Sequence, residues 1–318
     1  ALAAASASQL GGVAIAAALA AGDVAPDDVD ELLMGCVLPA GQGQAPARQA
    51  GFAAGLGEDV PATTINKMCG SGMKTTMMGY DQLALGHGQV MVTGGMESMT
   101  QAPYLLPKMR GGARLGHGQV QDSMFLDGLE DAYDKGRLMG TFAEDCAMHF
   151  QFSRAAQDAY ALRSLERALA AQASGAVAAE IAPVTVAGRK AKFEVVMDEQ
   201  PGTARPDKIP HLKPAFREGG TVTAANSSSI SDGAAALVLA NASGLAAKGY
   251  TPRARVMGHA SHAQAPGWFT TAPVPAAREL LDRLGWSVSD VDLLGGRGAC
   301  AVVRMSVMHA AGLCADVV

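Results

Sequence analysis

Residues 62–74 read ATTINKMCGSGMK: a short β-branched run, a loop carrying Cys69, then the start of a helical pattern that continues to Leu85. The run at 62–65 suits a strand. The two glycines after the cysteine, Gly70 and Gly72, free the backbone to turn sharply and to let a ligand approach. A helix that begins just past Cys69 aims unpaired N–H groups and the positive end of its dipole at the sulfur. Both favour the thiolate, the nucleophilic form of the side chain. A free cysteine in isolation is more often a buried apolar residue, and Cys36 and Cys146 read that way. The strand–Cys-Gly-Ser-Gly–helix setting marks Cys69 as the candidate nucleophile.

Outward from this loop, the first hundred residues alternate helical and strand patterns. A helix is expected over 8–22, a strand over 32–38, a helix over 45–55, and a very apolar strand over 89–93 that ends in Gly94-Gly95. Strands alternating with helices imply a largely parallel, covered sheet, hence an α/β fold. Residues 101–220 are richer in Gly, Pro, Lys and Arg and carry one clear charged helix over 154–173, which reads as an inserted loop domain. Residues 231–240 (SDGAAALVLA) return to buried strand or helix character. A strand is expected over 253–259 and a helix over 274–284.

The second part echoes the first. A helix, Gly22, then Asp28-Val29-Asp30 is matched by a helix, Gly285, then Asp290-Val291-Asp292. Each is followed by an apolar run and a helix ending Ala-Ala-Gly-Leu, at 53–56 and 310–313. The echo implies two similar α/β halves. The division expected is 1–100 with 221–250 as the first half, 101–220 as the insertion, and 251–318 as part of the second half.

Composition narrows the function classes. Of 318 residues, 49% are apolar and 17% charged, which fits a well-buried globular chain. Net charge is −5, with Lys and Arg dispersed, so there is no basic field for nucleic acid. Five cysteines at irregular spacings without a CxxC pair point to reduced thiols and a cytoplasmic setting. Residues 1–22 are uncharged, but they lack a basic leader and their apolar spacing suits a buried helix; no stretch reads as a membrane span. His259 and His262 form an HxxH pair without further ligands, so no metal site is assigned.

On the motifs at 66–74 (NKMCGSGMK), 92–99 (VTGGMESM), 41–50 (GQGQAPARQA) and 221–236 (TVTAANSSSISDGAAA), with Met139-Gly140-Thr141 and Ala143-Glu144, the chain resembles the thiolase family as far as about Leu294. The resemblance implies two similar halves in a five-layer αβαβα arrangement with an inserted loop domain, the second half cut short. It implies a ping-pong reaction in which Cys69 takes an acyl group from an acyl-CoA and the carbanion of acetyl-CoA attacks it, or the reverse cleavage. By position, Ser228 would contact the pantetheine arm, Phe216 and Ala224 would lie beside it, and Met139 would line the acyl pocket. Leu138 stands where some members have a histidine. Coenzyme A and acetyl-CoA would be substrates, with no covalently bound cofactor, and the chain would form a homodimer or homotetramer.

The same alignment places the family's Asn-Glu-Ala-Phe motif on Arg297-Gly298-Ala299-Cys300, without its Asn, Glu or Phe. The family's Gly-His-Pro and Cys-x-Gly loops have no counterpart in these 318 residues, and His309 and Cys314 lack the flanking glycines and proline. Two readings therefore stand at this level: an acetyl-CoA C-acetyltransferase, or a non-catalytic relative that binds coenzyme A or a partner subunit.

Overall fold

An uncharged stretch of sequence forms the first helix: Ser6 accepts from the N–H of Gln9 at 3.2 Å, and the Gln9 side chain accepts from the N–H of Ser6 at 2.9 Å, a reciprocal cap that starts helix α1 at Ala7.

The computed structural model describes residues 1–188, 191–296 and 298–312. In chain order its helices are α1 (Ala7–Gly22), α2 (Pro46–Ala53), α3 (Ser71–Ala84), α4 (Met139–His149), α5 (Arg154–Ser174), α6 (Glu199–Thr203), α7 (Ala242–Lys248), α8 (Pro273–Leu284) and α9 (Ala301–Ala311). The strands are β1 (Glu31–Gly35), β2 (Ala62–Ile65), β3 (Val90–Ser98), β4 (Tyr104–Leu105), β5 (Gln121–Asp122), β6 (Val184–Ala187), β7 (Lys192–Val195) and β8 (Asp232–Ala240). The chain divides into two compact units, one of Ala1–Leu129, Glu180–Met197 and Ile230–Val256, the other of Glu130–Ala179, Asp198–Ser229 and Met257–Val318.

The first unit is built on a four-stranded sheet in the order β2-β1-β3-β8, with β8 antiparallel and the rest parallel. Alternation along the strands supplies both faces. Leu32 and Met34 of β1 and Val90, Val92 and Met96 of β3 join Ile15 and Leu19 of α1 and Ala47 and Ala50 of α2 in one buried cluster. Each fully buried aliphatic side chain there contributes about 1.5–3 kcal/mol. Helix α3 packs on the other face, where Thr75 hydrogen-bonds the Gly94 carbonyl at 2.9 Å and Thr76 meets Thr93 at 3.2 Å.

Close approach at that face needs glycine. A Cβ on Gly35 would lie 2.7 Å from the Gly72 nitrogen and the Ser71 carbonyl carbon, so only a bare backbone lets the first turn of α3 rest on β1. Expectation and structure differ at β3: the strand was expected to end in Gly94-Gly95 but runs on to Ser98. Both glycines sit inside the ladder, opposite Ala236 and Ala235 of β8, where a Cβ on Gly94 would lie 2.2 Å from the Ala235 carbonyl oxygen. Here glycine marks a backbone crossing close to its neighbours rather than a strand end.

In the second unit, Ala143, Cys146 and Ala147 of α4 bury against Val222, Cys300, Val302 and Val303, with Phe150, Phe152 and Phe216 packed around them. The echo between the halves survives in its helices. Helix α1 is followed by a one-turn helix at Pro26–Asp28, and α8, capped by Gly285 at φ 67°, by one at Val288–Asp290. The strand expected over 253–259 is not formed; that stretch is irregular. A strand needs a ladder partner for its N–H and C=O groups, and none pairs with it among the described residues.

Candidate active site

Strand β2 delivers the chain to Asn66, at the end of the sheet where the parallel strands finish. Ligands of open α/β sheets bind outside those carboxyl ends. The loop then closes on itself. The N–H of Met68 donates to Asn66 Oδ1 at 3.0 Å, the N–H of Lys67 to Ser71 Oγ at 2.8 Å, and Ser71 Oγ donates to the Met68 carbonyl at 2.5 Å. Met68 is held at φ 48°, a left-handed conformation that costs a non-glycine residue about 1–3 kcal/mol. Gly70 then caps α3, so Cys69 stands one residue before the helix cap.

Exposure separates the thiols. Cys69 is exposed, whereas Cys36, Cys146 and Cys300 are buried. Burial, aided by the Glu97 carboxylate, pushes the Cys36 thiol up to about 12, and burial likewise raises Cys146 and Cys300. A thiol raised in this way stays protonated and inert. Cys36 and Cys146 are thus the structural cysteines expected. Cys314 and Arg297 lie outside the described residues.

The other expected site residues gather in the second unit around α4. Met139 is its first residue and Leu138 its N-cap, and the Phe216 ring lies over Gly140, where a Cβ would come within 2.4 Å of it. The N–H of Ala215 donates to the Val222 carbonyl at 2.9 Å, joining the Phe216 segment to the loop that carries Ala224 and Ser228. That loop is tied at both ends. Buried Glu144 accepts the N–H groups of Thr221 at 2.9 Å and Val222 at 2.8 Å. At the far end, Ser228 N–H donates to the Ala299 carbonyl and Ala301 N–H to the Asn226 carbonyl, each at 2.8 Å. Ala224 and Ser228 are left exposed between these ties.

Glu144→Gln is expected to cost about 2–4 kcal/mol, because an amide N–H₂ would face backbone N–H groups in a buried site. Urea denaturation at neutral pH reads this directly, and a loss under 0.5 kcal/mol would remove Glu144 as the anchor of the loop.

Sequence reasoning passed over Glu97, although it lies in a quoted motif. Its carboxylate accepts the N–H groups of Val37 at 2.8 Å and Leu38 at 3.1 Å. An acidic side chain a few residues past an expected apolar strand, within the Gly94-Gly95 motif, was the available signal. His309 and His259 lie in the second unit. His309 packs its ring against Phe150 at 5.6 Å and Phe152 at 6.3 Å, and the His259 carbonyl accepts from Arg283. No three His, Cys, Asp or Glu side chains converge as a metal site among the described residues. No helix among them is long and apolar enough to cross a membrane.

Comparison with known proteins places this arrangement. Residues 1–243 match the family model "Thiolase, N-terminal domain" and residues 250–318 match "Thiolase, C-terminal domain". Acetyl-CoA acetyltransferase 2 of Arabidopsis thaliana is 45% identical over 311 residues, covering 96% of this chain and 77% of the relative. A probable acetyl-CoA acetyltransferase of Dictyostelium discoideum is 44% identical over 299 residues, covering 94% and 72%. The crystal structure of the Bacillus anthracis acetyl-CoA acetyltransferase superposes with a TM-score of 0.95 at 34% identity, covering 100% of this chain and 80% of that one.

Proposed function

The chain belongs to the thiolase family, and from that premise we propose that it is an acetyl-CoA C-acetyltransferase whose acyl acceptor is Cys69. The observation that carries the reading is a single exposed thiol among the described cysteines, set between the carboxyl end of a parallel strand and the start of a helix. That exposure favours the catalytic reading over the non-catalytic one.

In the first half-reaction the Cys69 sulfur attacks the thioester carbonyl carbon of an acyl-CoA. The carbon–sulfur bond to coenzyme A breaks, and coenzyme A leaves as a thiol with the proton that Cys69 gave up. In the second, acetyl-CoA loses an α-proton, its carbanion attacks the acyl carbon on Cys69, and the Cys69 sulfur departs. Cleavage of a 3-ketoacyl-CoA is the same sequence reversed. Helix α3 favours negative charge on the sulfur through the N–H groups of its first turn. Ser228 would meet the pantetheine arm, Phe216 and Ala224 would flank it, and Met139 would line the acyl pocket. The exposure of Ala224 and Ser228 on an anchored loop supports contact with a ligand. The family's general base and its second cysteine are assigned to no residue here.

Incubation with acetyl-CoA followed by intact-mass and peptide analysis tests the proposal. One acetyl group on the peptide containing Cys69, absent after prior alkylation with iodoacetamide, is the expected result; an unmodified Cys69 after prolonged incubation would sink it.

We also place the protein in the cytoplasm as a homo-oligomer. Between β4 and β5 the side chains of Leu106, Met109 and Leu115 are exposed, and Tyr104 beside them as well, apolar surface that a second copy would cover.

A further inference from the structure

Strand β3 outruns its neighbour. The β1–β3 ladder ends with Gly35 opposite Gly95, yet β3 continues through Met96, Glu97 and Ser98. Where a ladder carbonyl would otherwise stand, the Glu97 carboxylate serves the chain leaving β1. Oε2 accepts the Val37 N–H at 2.8 Å, and Oε1 accepts the Leu38 N–H at 3.1 Å and the Cys36 thiol at 3.5 Å. The peptide unit that joins Val37 to Leu38 is held at both ends: its N–H, that of Leu38, is bound by Glu97, and its carbonyl, that of Val37, accepts from Asn66 Nδ2 at 3.3 Å. Asn66 Oδ1 in turn accepts the N–H of Met68, the left-handed residue directly before Cys69.

We propose that Glu97 is a positioning residue for Cys69, acting through Val37 and Asn66 to hold Met68 in the conformation that presents the thiol. Ser71 holds the same loop from the helix side, by bonds within four residues of chain. The Glu97 route ties the loop to the sheet, and so fixes where the thiol stands rather than only how the loop turns. A carboxylate suits the task because both oxygens accept and neither donates, so two converging backbone N–H groups meet no competing hydrogen. The consequence for acyl transfer rests on Cys69 being the acyl acceptor; the positioning itself does not.

The test compares wild type with Glu97→Gln, Asn66→Asp and the double variant, and uses Asp30→Asn as control. Asp30 also accepts two backbone N–H groups with its carboxylate, those of Gln89 at 2.6 Å and Val90 at 2.9 Å, but at the start of β3. Amide hydrogen exchange at Met68 is expected to accelerate about tenfold or more in Glu97→Gln and in Asn66→Asp, and to stay near wild type in Asp30→Asn. At saturating acetyl-CoA, the rate of Cys69 acetylation is expected to fall about 10–100-fold in both single variants, with the half-saturating concentration little changed. The double variant should lose far less than the product of the two, since both cut one route. Unchanged exchange at Met68 in Glu97→Gln overturns the proposal, as does equal acceleration in Asp30→Asn or fully multiplicative rate losses. If Glu97→Gln does not fold, Asn66→Asp carries the same exchange test. A wild-type protein that never acetylates overturns the function of Cys69, and the exchange result still decides the role of Glu97.

Discussion

Replacing Cys69 by serine is expected to reduce acetyl transfer by about 10⁴-fold or more, because the nucleophile of a covalent mechanism acts as a unit with its surroundings. Folding should be nearly untouched. The side chain is exposed, so losing the sulfur forms no cavity, and the loop bonds run through Asn66, Lys67, Met68 and Ser71 rather than through the thiol. The measurement is turnover with acetyl-CoA beside thermal unfolding of both proteins. Turnover within tenfold of wild type would show that another group accepts the acyl chain. The buried thiols are the natural comparison: Cys36→Ser should keep the chemistry and lose stability, since a hydroxyl would replace a sulfur in an almost fully buried position.

Gly35→Ala is the second large effect expected. The new methyl group would stand 2.7 Å from the Gly72 nitrogen, the Ser71 carbonyl carbon and the Ser71 Cβ, and two of those are backbone atoms that cannot rotate away. Helix α3 must lift from β1, and the expected cost is about 3 kcal/mol, at the upper end of the usual range for overpacking. For a chain of 318 residues that is a fall in Tm of roughly 4–5 °C. Acetylation of Cys69 should slow as well, because the helix that moves is the one that begins beside it. Gly118→Ala is the control: nothing lies within 4 Å of its Cβ position, and its stability should stay within about 0.5 kcal/mol of wild type. Equal stability and equal acetylation for the two variants would show that the contact between β1 and α3 does not set the position of the loop.

Both predictions concern a site whose local parts could be read from the chain. The strand at 62–65 is formed as expected. Helix α3 starts two residues after Cys69 and ends one residue before the expected Leu85, and α5 ends one residue past its expected end. These elements are encoded by neighbours: β-branched residues before a glycine-bearing turn, then apolar spacing with a helical period. The motifs that carry the family likeness are local in the same sense.

What the chain did not disclose lies at contacts between distant segments. Gly94-Gly95 looks like a strand end when read locally, and is a strand interior because β8 crosses it some 140 residues later. Residues 253–259 have strand character, and without a ladder partner among the described residues they stay irregular. Glu144 and Glu97 gain their roles from backbone N–H groups 77 and 60 residues away in sequence.

The sequence by itself determined the α/β class and the strand–loop–helix around Cys69, because each depends on side-chain period and on glycine within a dozen residues. The tertiary structure alone decided which of the described thiols are sealed, where β3 stops, and which carboxylates hold the chain leaving β1 and the loop of Ala224 and Ser228. Those outcomes turn on unpaired N–H groups and on space beside a glycine, and both are supplied by whatever the folded chain brings alongside.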